Sequence, residues 1–145
     1  MAVSITLYNH TPKLFANGEV SLADLKFMLL DDNAAFDAAD VDIDDVAGSG
    51  HPFEVAGFGW DVGGELIENA AVTTVTTNDA KLDADDVEVT ATGGAIGPAS
   101  FGVIYDSDSG KVLAFVNFDG EKEAGEGTDF KVIFHASGIV AWTYA

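Results

Sequence analysis

The sequence predicts a single all-β domain, an antiparallel β-sandwich or barrel of Greek-key or jelly-roll-like type, with one short helical excursion near residues 35–47. Three observations support this fold class. The chain has 145 residues, which suits one compact unit spanning residues 1–145. Apolar residues recur at every second position in several stretches. The gaps between those stretches contain Gly, Asp, Asn and Ser, the residues of tight turns.

The N-terminal half gives short signals. Residues 2–8 alternate between apolar and polar and predict a strand. Residues 14–20 contain an Asn-Gly pair and predict a tight turn between short extended pieces. Residues 22–30 fit a strand, although Ser21 followed three residues later by an acid is also typical of a helix N-terminus. We prefer the strand for this stretch.

The middle of the chain mixes loops with strands. Residues 33–47 are rich in Ala and Asp and predict a loop with one or two helical turns. Residues 65–78 are rich in Val and Thr and predict a strand, straight or bent, and residues 86–92 predict another. The Gly-rich stretch 93–98 predicts a loop.

The C-terminal half shows the strand pattern most clearly. Apolar residues alternate over 101–105 and 130–134, whereas 112–118 and 139–144 are apolar on both faces, as in central strands. Turn residues separate all four runs, and the connection that begins at Asp119 is long and acidic. The pattern therefore predicts four strands joined in an antiparallel meander.

Charge and composition exclude several classes of partner. The net charge is -19, and the six basic residues are all Lys. Because such a chain repels phosphate, we expect no nucleic-acid partner and no membrane partner. The absence of Cys excludes disulfides and thiolate metal sites. No leader pattern and no apolar run approaching ~20 residues is visible, so we expect folding in a cytoplasm.

The acidic pattern Asp40-x-Asp42-x-Asp44 offers weak metal candidates, because calcium prefers carboxylate oxygens. An EF-hand loop requires Gly at its sixth position and Glu at its twelfth. Those positions hold Asp45 and His51, so the EF-hand interpretation fails. A looser calcium site of the kind found in β-proteins stays open.

The sequence contains little that indicates catalysis. The three histidines have no metal-ligand spacing, and no serine lies in a nucleophile-elbow motif. The glycines near residue 95 lack the Lys-Ser/Thr pair of a phosphate loop. The many carboxylates leave a glycosidase pair open. We expect no enzyme activity, no catalytic residue and no cofactor.

Four aromatic residues allow two interpretations. Trp60, Tyr105, Trp142 and Tyr144 fit a β-sheet core, and they also fit a sugar-stacking platform or an interface anchor. Trp142 and Tyr144 point to the same side if the last strand is regular. A terminal strand this apolar is expected inside the fold or against a partner.

A series of short segments follows a fixed order along nearly the whole chain. They are Leu7–Thr11, Leu14–Val20, Leu22–Lys26, Val55–Trp60 followed by Gly63-Gly64, Leu82–Val87, Gly102–Asp106, Leu113–Phe118, and Asp129–Val132 running to Ile139. In this order the segments resemble a family of small structural proteins of tailed-bacteriophage virions. The resemblance implies a non-enzymatic component of the particle and carries over no catalytic residue.

A capsid decoration (cement) protein fits this resemblance, because it needs a rigid β scaffold and a contact surface but no active site. Such proteins bind the outside of the phage head and clamp capsid subunits, often as trimers. We therefore expect the major capsid protein as partner, a homotrimer, and a place on the capsid exterior after assembly in the host cytoplasm. A tail, neck or fibre component is one alternative. A carbohydrate-binding β-sandwich adhesin that uses Trp60 or Tyr105 is another.

The expected contact surface lies in the N-terminal segment 2–20 and in the last strand, because edge strands can pair across chains. Its candidate residues are Ile5, Leu7, Leu14, Phe15, Trp142 and Tyr144.

Overall fold

Antiparallel strands dominate the chain, as predicted. The computed structural model describes residues 4–76 and 79–143, and 46% of these residues are strand while 10% are helical. The elements in order are β1 (Ser4–Leu7), α1 (Thr11–Ala16), a 3-10 turn (Leu22–Asp24), β2 (Leu25–Leu30), α2 (Ile43–Ala47), β3 (Glu54–Val55), β4 (Glu65–Leu66), β5 (Ala71–Thr76), β6 (Asp79–Asp83), β7 (Val87–Thr90), β8 (Ile96–Asp106), β9 (Val112–Ala124), β10 (Asp129–Val132) and β11 (Val140–Trp142). The fold class is the predicted all-β sandwich with a short helix.

The largest sheet has six strands and forms the centre of the fold. Its order is β1-β9-β8-β2-β3, and β4 also pairs with β2. The long β8–β9 hairpin is its spine, with Val103 opposite Phe115. Two smaller antiparallel sheets, β7–β10 and β5–β6–β11, complete the strand structure. Neither helix in the described residues has the length or apolar sequence needed to cross a bilayer.

The central sheet buries both of its faces. Leu25, Phe27 and Leu29 point from β2 into a first core, which they share with residues of the two smaller sheets. Met28 and Leu30 point the other way, into a second core that includes residues of α2. Because successive side chains of a strand alternate between faces, a strand buried on both sides needs a continuous apolar run. This explains the apolar run from Leu25 to Leu30, which only Lys26 interrupts.

The helix α2 lies within the predicted excursion at residues 35–47. The Asp45 carboxylate accepts hydrogen bonds from the backbone N–H groups of Val41 at 3.1 Å and Asp42 at 3.0 Å. These two bonds lower the pKa of Asp45, because they favour its charged form. The first turn of α2 is thus held by its own acidic residues, and Val46 and Ala47 are buried beneath it.

The prediction for residues 14–20 was correct for the turn at Asn17-Gly18 and wrong for the extended piece before it. The structure has the helix α1 at Thr11–Ala16, with Pro12 in its first turn. Pro is favourable there because its fixed φ suits a helix start. Gly18, at φ +69°, follows the helix. Thr11 anchors α1, since its hydroxyl donates to the Leu113 carbonyl of β9 at 2.7 Å.

The predicted C-terminal meander was correct only for its first pair. β8 and β9 form a hairpin, but β10 pairs with β7, and β11 pairs with β6. The alternation in a strand identifies its buried face and not its neighbour, which explains the error. Likewise, residues 96–98 of the predicted loop belong to β8.

Two further strand predictions need small corrections. The stretch 22–30 begins with the 3-10 turn, and β2 starts only at Leu25. The stretch 65–78 divides into β4 and β5, with Asn69 between them at φ +55°. Residues 77 and 78 lie outside the described residues.

Tyr8 is a buried phenol in the second core. Only 1% of its surface is exposed, and its hydroxyl has no hydrogen-bond partner among the described residues. Burial, followed by the nearby Asp40 charge, raises the pKa of Tyr8 well above 10. The folded state therefore favours the neutral phenol.

Two outcomes follow for the stability of the protein. Tyr8→Phe should leave the free energy of unfolding at pH 7 unchanged or raise it, because an unpaired polar group is removed. As pH rises above about 10, the unfolded chain ionises its tyrosines first, so wild-type stability should fall. This fall should be smaller in Tyr8→Phe. Urea unfolding at several pH values checks both points. The matched control is Tyr105→Phe, which should cost about 1 kcal/mol at pH 7, because the Tyr105 hydroxyl donates to the Gly63 carbonyl.

Candidate contact surface

The predicted contact residues divide into one exposed side chain and several that support the fold. Ile5 on β1 is 43% exposed. Leu7, Leu14, Phe15 and Trp142 are half-buried and pack against the first core. The rings of Phe15 and Trp142 meet edge to face, with centroids 5.1 Å apart. Helix α1 and strand β11 therefore contact each other through these rings. Tyr144 lies outside the described residues.

The aromatic residues of the carbohydrate hypothesis are not accessible. Trp60 is 2% exposed and Tyr105 is 6% exposed. The Trp60 ring packs in the first core against Phe27 and Phe130. A sugar-stacking platform needs an open ring face, so neither Trp60 nor Tyr105 can provide one.

Two of the three acidic metal candidates pair with different basic side chains. The Asp42 carboxylate pairs with the Lys111 ammonium at 2.7 Å, and the Asp44 carboxylate lies 2.8 Å from the His51 Nε2. The pKa of Asp40 is raised, first by desolvation and then by neighbouring carboxylates. Among the described residues, no group of three His, Asp or Glu side chains is placed to hold a metal ion.

An apolar groove of about 590 Å³ lies at the β1 edge of the central sheet. Val116 and Phe118 of β9 line one side, and Phe130 of β10 lines the other. Ile5 and Ile133 also line it, and they are 43% and 69% exposed. The volume lies within the range of protein ligand sites. The predicted contact residue Ile5 is therefore part of an open apolar surface.

The charged groups that line the groove balance one another. They are Lys122, Glu123, Asp129 and Lys131, with His135 as a fifth titratable group. With His135 neutral their sum is zero, in a chain whose net charge is -19. Hence the groove is a neutral region in an acidic surface.

Two of these groups are held by β7. Lys131 pairs with Glu88 at 3.1 Å, and Glu88 raises the pKa of Lys131. The Thr90 hydroxyl donates to Asp129 at 2.6 Å and lowers the pKa of Asp129. Both groups are therefore charged at neutral pH and fixed at the rim of the groove.

His135 is oriented by its own turn. The backbone N–H of Ser137 donates to His135 Nδ1 at 3.0 Å. In the neutral ring the proton therefore lies on Nε2, which makes that atom a donor. His135 lines the groove, so it adds a hydrogen-bond donor to the polar groups at this surface.

Sequence reasoning found Ile5 but missed Ile133. Phe130, Val132 and Phe134 are the apolar members of the alternating run, and Ile133 falls among its polar members, between Lys131 and His135. The signal in the sequence was an apolar residue at a position where the alternation predicts a polar one. Comparison of the chain with protein-family models, with curated proteins and with solved structures finds no match. The function is therefore inferred from the sequence resemblance and from the geometry of the groove.

Proposed function

We propose that this protein is a non-enzymatic decoration (cement) protein of a tailed-phage virion, and that it binds the major capsid protein on the outside of the head. The observation that carries the proposal is the neutral, apolar groove beside the edge strand β1. An exposed apolar surface rimmed by polar groups is typical of a protein interaction site. The proposal includes a homotrimer and assembly in the host cytoplasm, as the sequence resemblance implies.

The architecture supports a scaffold role. Both faces of the central sheet are packed, so the contact surface rests on rigid strands. The charged groups of Lys131 and Asp129 at the groove have partners within the protein. An arrangement of this kind suits binding by shape and apolar contact.

The charge supports an exterior position. Packaged DNA carries a dense negative charge, and a chain with a net charge of -19 is repelled by it. On the outer face of a capsid the same charge is solvated and separated from the DNA. The neutral groove then provides a place where the acidic protein can approach a partner without strong repulsion.

Quantitative mass spectrometry of purified virions tests the role. Hundreds of copies, in a simple ratio to the major capsid protein, would support decoration of the head. A few copies to a few tens would overturn it in favour of a tail, neck or fibre component. Absence from the particle would overturn any structural role in the virion.

Ile133→Asp tests the groove as the contact surface. Because Ile133 is 69% exposed, the variant should fold normally. Its carboxylate would place a charge in an apolar contact, so affinity for virions lacking the protein should fall about tenfold or more. The matched control is Val62→Asp, since Val62 is 83% exposed and does not line the groove. Equal binding by both variants in a co-sedimentation assay would place the contact elsewhere.

A further inference from the structure

We propose that the groove receives an extended segment of the partner, which adds to β1 as a new parallel strand and places every second side chain in the groove. The inference rests on the proposed function only in naming the capsid subunit as the source of this segment. Strand addition combines main-chain hydrogen bonds with pockets for alternate side chains. Strand addition at this site requires an unpaired backbone edge, a groove on the correct face, and a partner whose chemistry matches the groove lining.

The backbone of β1 supplies the edge. Among the described residues β1 pairs only with β9, in a register that places Ser4 opposite Asn117 and Leu7 opposite Ala114. One residue further, the Tyr8 N–H donates to the Leu113 carbonyl at 3.4 Å. Hydrogen-bonded pairs alternate along an antiparallel ladder.

The alternation fixes which backbone groups are free. The bond from Tyr8 shows that Tyr8 directs its N–H and C=O groups toward β9. Every second residue before it, Thr6 and Ser4, therefore does the same. Ile5 and Leu7 consequently direct theirs away from β9, where no described strand pairs with them. An added strand would bond to the backbone of Ile5 and Leu7.

The groove lies on the correct face of this edge. Ile5 is opposite Val116, and both side chains line the groove. Residues directly opposite each other in a ladder point to the same face. The residue that an added strand places opposite Ile5 therefore points into the groove, and so does every second residue after it.

The lining specifies the chemistry of the segment. Apolar side chains at alternate positions match the walls formed by Val116, Phe118 and Phe130. A neutral middle matches the zero net charge of the lining. We expect the segment to place a carboxylate near Lys122, because Lys122 is half-buried, lines the groove and has no ion-pair partner among the described residues.

The length of the segment follows from β9. Lys122 lies six residues beyond Val116 on this strand, which corresponds to about 20 Å at the rise of a β-strand. An extended segment of about six to eight residues therefore reaches from Ile5 to Lys122. A suitable probe is the acetylated octapeptide amide Glu-Thr-Val-Thr-Ile-Thr-Val-Thr.

Two variants of the full-length protein separate strand addition from simple apolar contact. Ile5→Pro removes the outward N–H and leaves the bonds to β9, whereas Ile5→Ala shortens the side chain and keeps the N–H. Peptide binding is measured by NMR titration, in which the amide resonances of Ile5 and Leu7 should shift. We expect affinity to fall about tenfold in Ile5→Pro and about threefold or less in Ile5→Ala.

A second measurement does not depend on the folding of Ile5→Pro. N-methylating alternate residues of the octapeptide removes the same hydrogen bonds from the side of the peptide. One of the two alternating N-methyl patterns should abolish binding to the wild-type protein, and the other should leave it largely intact. Equal effects of the two patterns would overturn strand addition, and so would a peptide that does not bind.

The outcomes also separate this inference from the proposed function. If Ile5→Pro binds virions as well as Ile5→Ala does, strand addition is wrong while decoration of the capsid stands. If the octapeptide shows the expected pattern but the wild-type protein is absent from virions, strand addition stands and the decoration function is wrong.

Discussion

Replacing Phe27 with alanine is expected to lower the free energy of unfolding by about 3–5 kcal/mol. Phe27 is fully buried, and its ring stacks on Phe118 at 6.3 Å between centroids. It also meets the Trp60 ring edge to face at 6.4 Å and the Phe134 ring at 6.5 Å. These rings come from β9, from the loop before β4 and from the segment after β10. The Phe27 side chain thus connects the central sheet to the segments that pack against it in the first core.

Such a loss is large because a domain of this size has a total stability of about 5–15 kcal/mol. Urea unfolding of wild type and Phe27→Ala measures it, with an unchanged dependence on urea as the sign that both unfold in the same way. The control is Phe58→Ala, because Phe58 is 51% exposed and should cost about 1 kcal/mol or less. A similar loss in both variants would contradict the central role of Phe27. Phe27 also lines the groove, so its removal should weaken partner binding as well.

Strands whose own sequence determines their burial could be predicted. In the run Leu25–Leu30 every residue except Lys26 is apolar, so both faces are apolar, and this run forms the buried strand β2. The turn residues between β8 and β9 indicated their hairpin. In both cases the signal is local, because hydrophobic period and turn chemistry act over a few residues.

Other elements depend on distant contacts. Helix α1 has six residues, which is too short for a helical period, and it is held by the bond from Thr11 to β9. The partner of β10 is β7, some forty residues earlier, and nothing in the alternation of β10 identifies it. Such pairings are determined by how the layers stack.

As with the strands, only the part of the contact surface that depends on local sequence could be predicted. Ile5 could be found because it belongs to an apolar position of an N-terminal strand. In the sequence Phe15 and Trp142 are apolar contact candidates just as Ile5 is, yet their rings pack against each other. The groove itself brings together β1, β9 and β10, so its existence depends on the stacking of the two layers.

The second large effect is expected at Gly102 in β8. A Cβ at this position would lie 2.4 Å from Cε1 and Cζ of Phe27 and 3.3 Å from Cζ of Phe118. Gly102 is opposite Leu29 on β2. Phe27 lies two residues before Leu29 on the same face of β2, and its ring crosses diagonally over the glycine. Gly102→Ala should therefore cost about 3 kcal/mol, because the Phe27 ring packs against the Phe118 and Trp60 rings and cannot shift without disturbing them.

A double-mutant cycle with Phe27→Leu checks the cause of this loss. Leucine lacks the ring atoms Cε1 and Cζ that the new methyl group would meet, so Gly102→Ala should cost about 1 kcal/mol or less in the Phe27→Leu background. The two losses would then be less than additive by about 2 kcal/mol. Additive losses, within about 0.5 kcal/mol, would mean that a shift of the β8 backbone and not the ring contact causes the destabilisation. The cycle also concerns the groove, because β8 supports the strand β9 that forms its wall. If the ring contact is the cause, the double variant should bind the octapeptide nearly as well as Phe27→Leu alone.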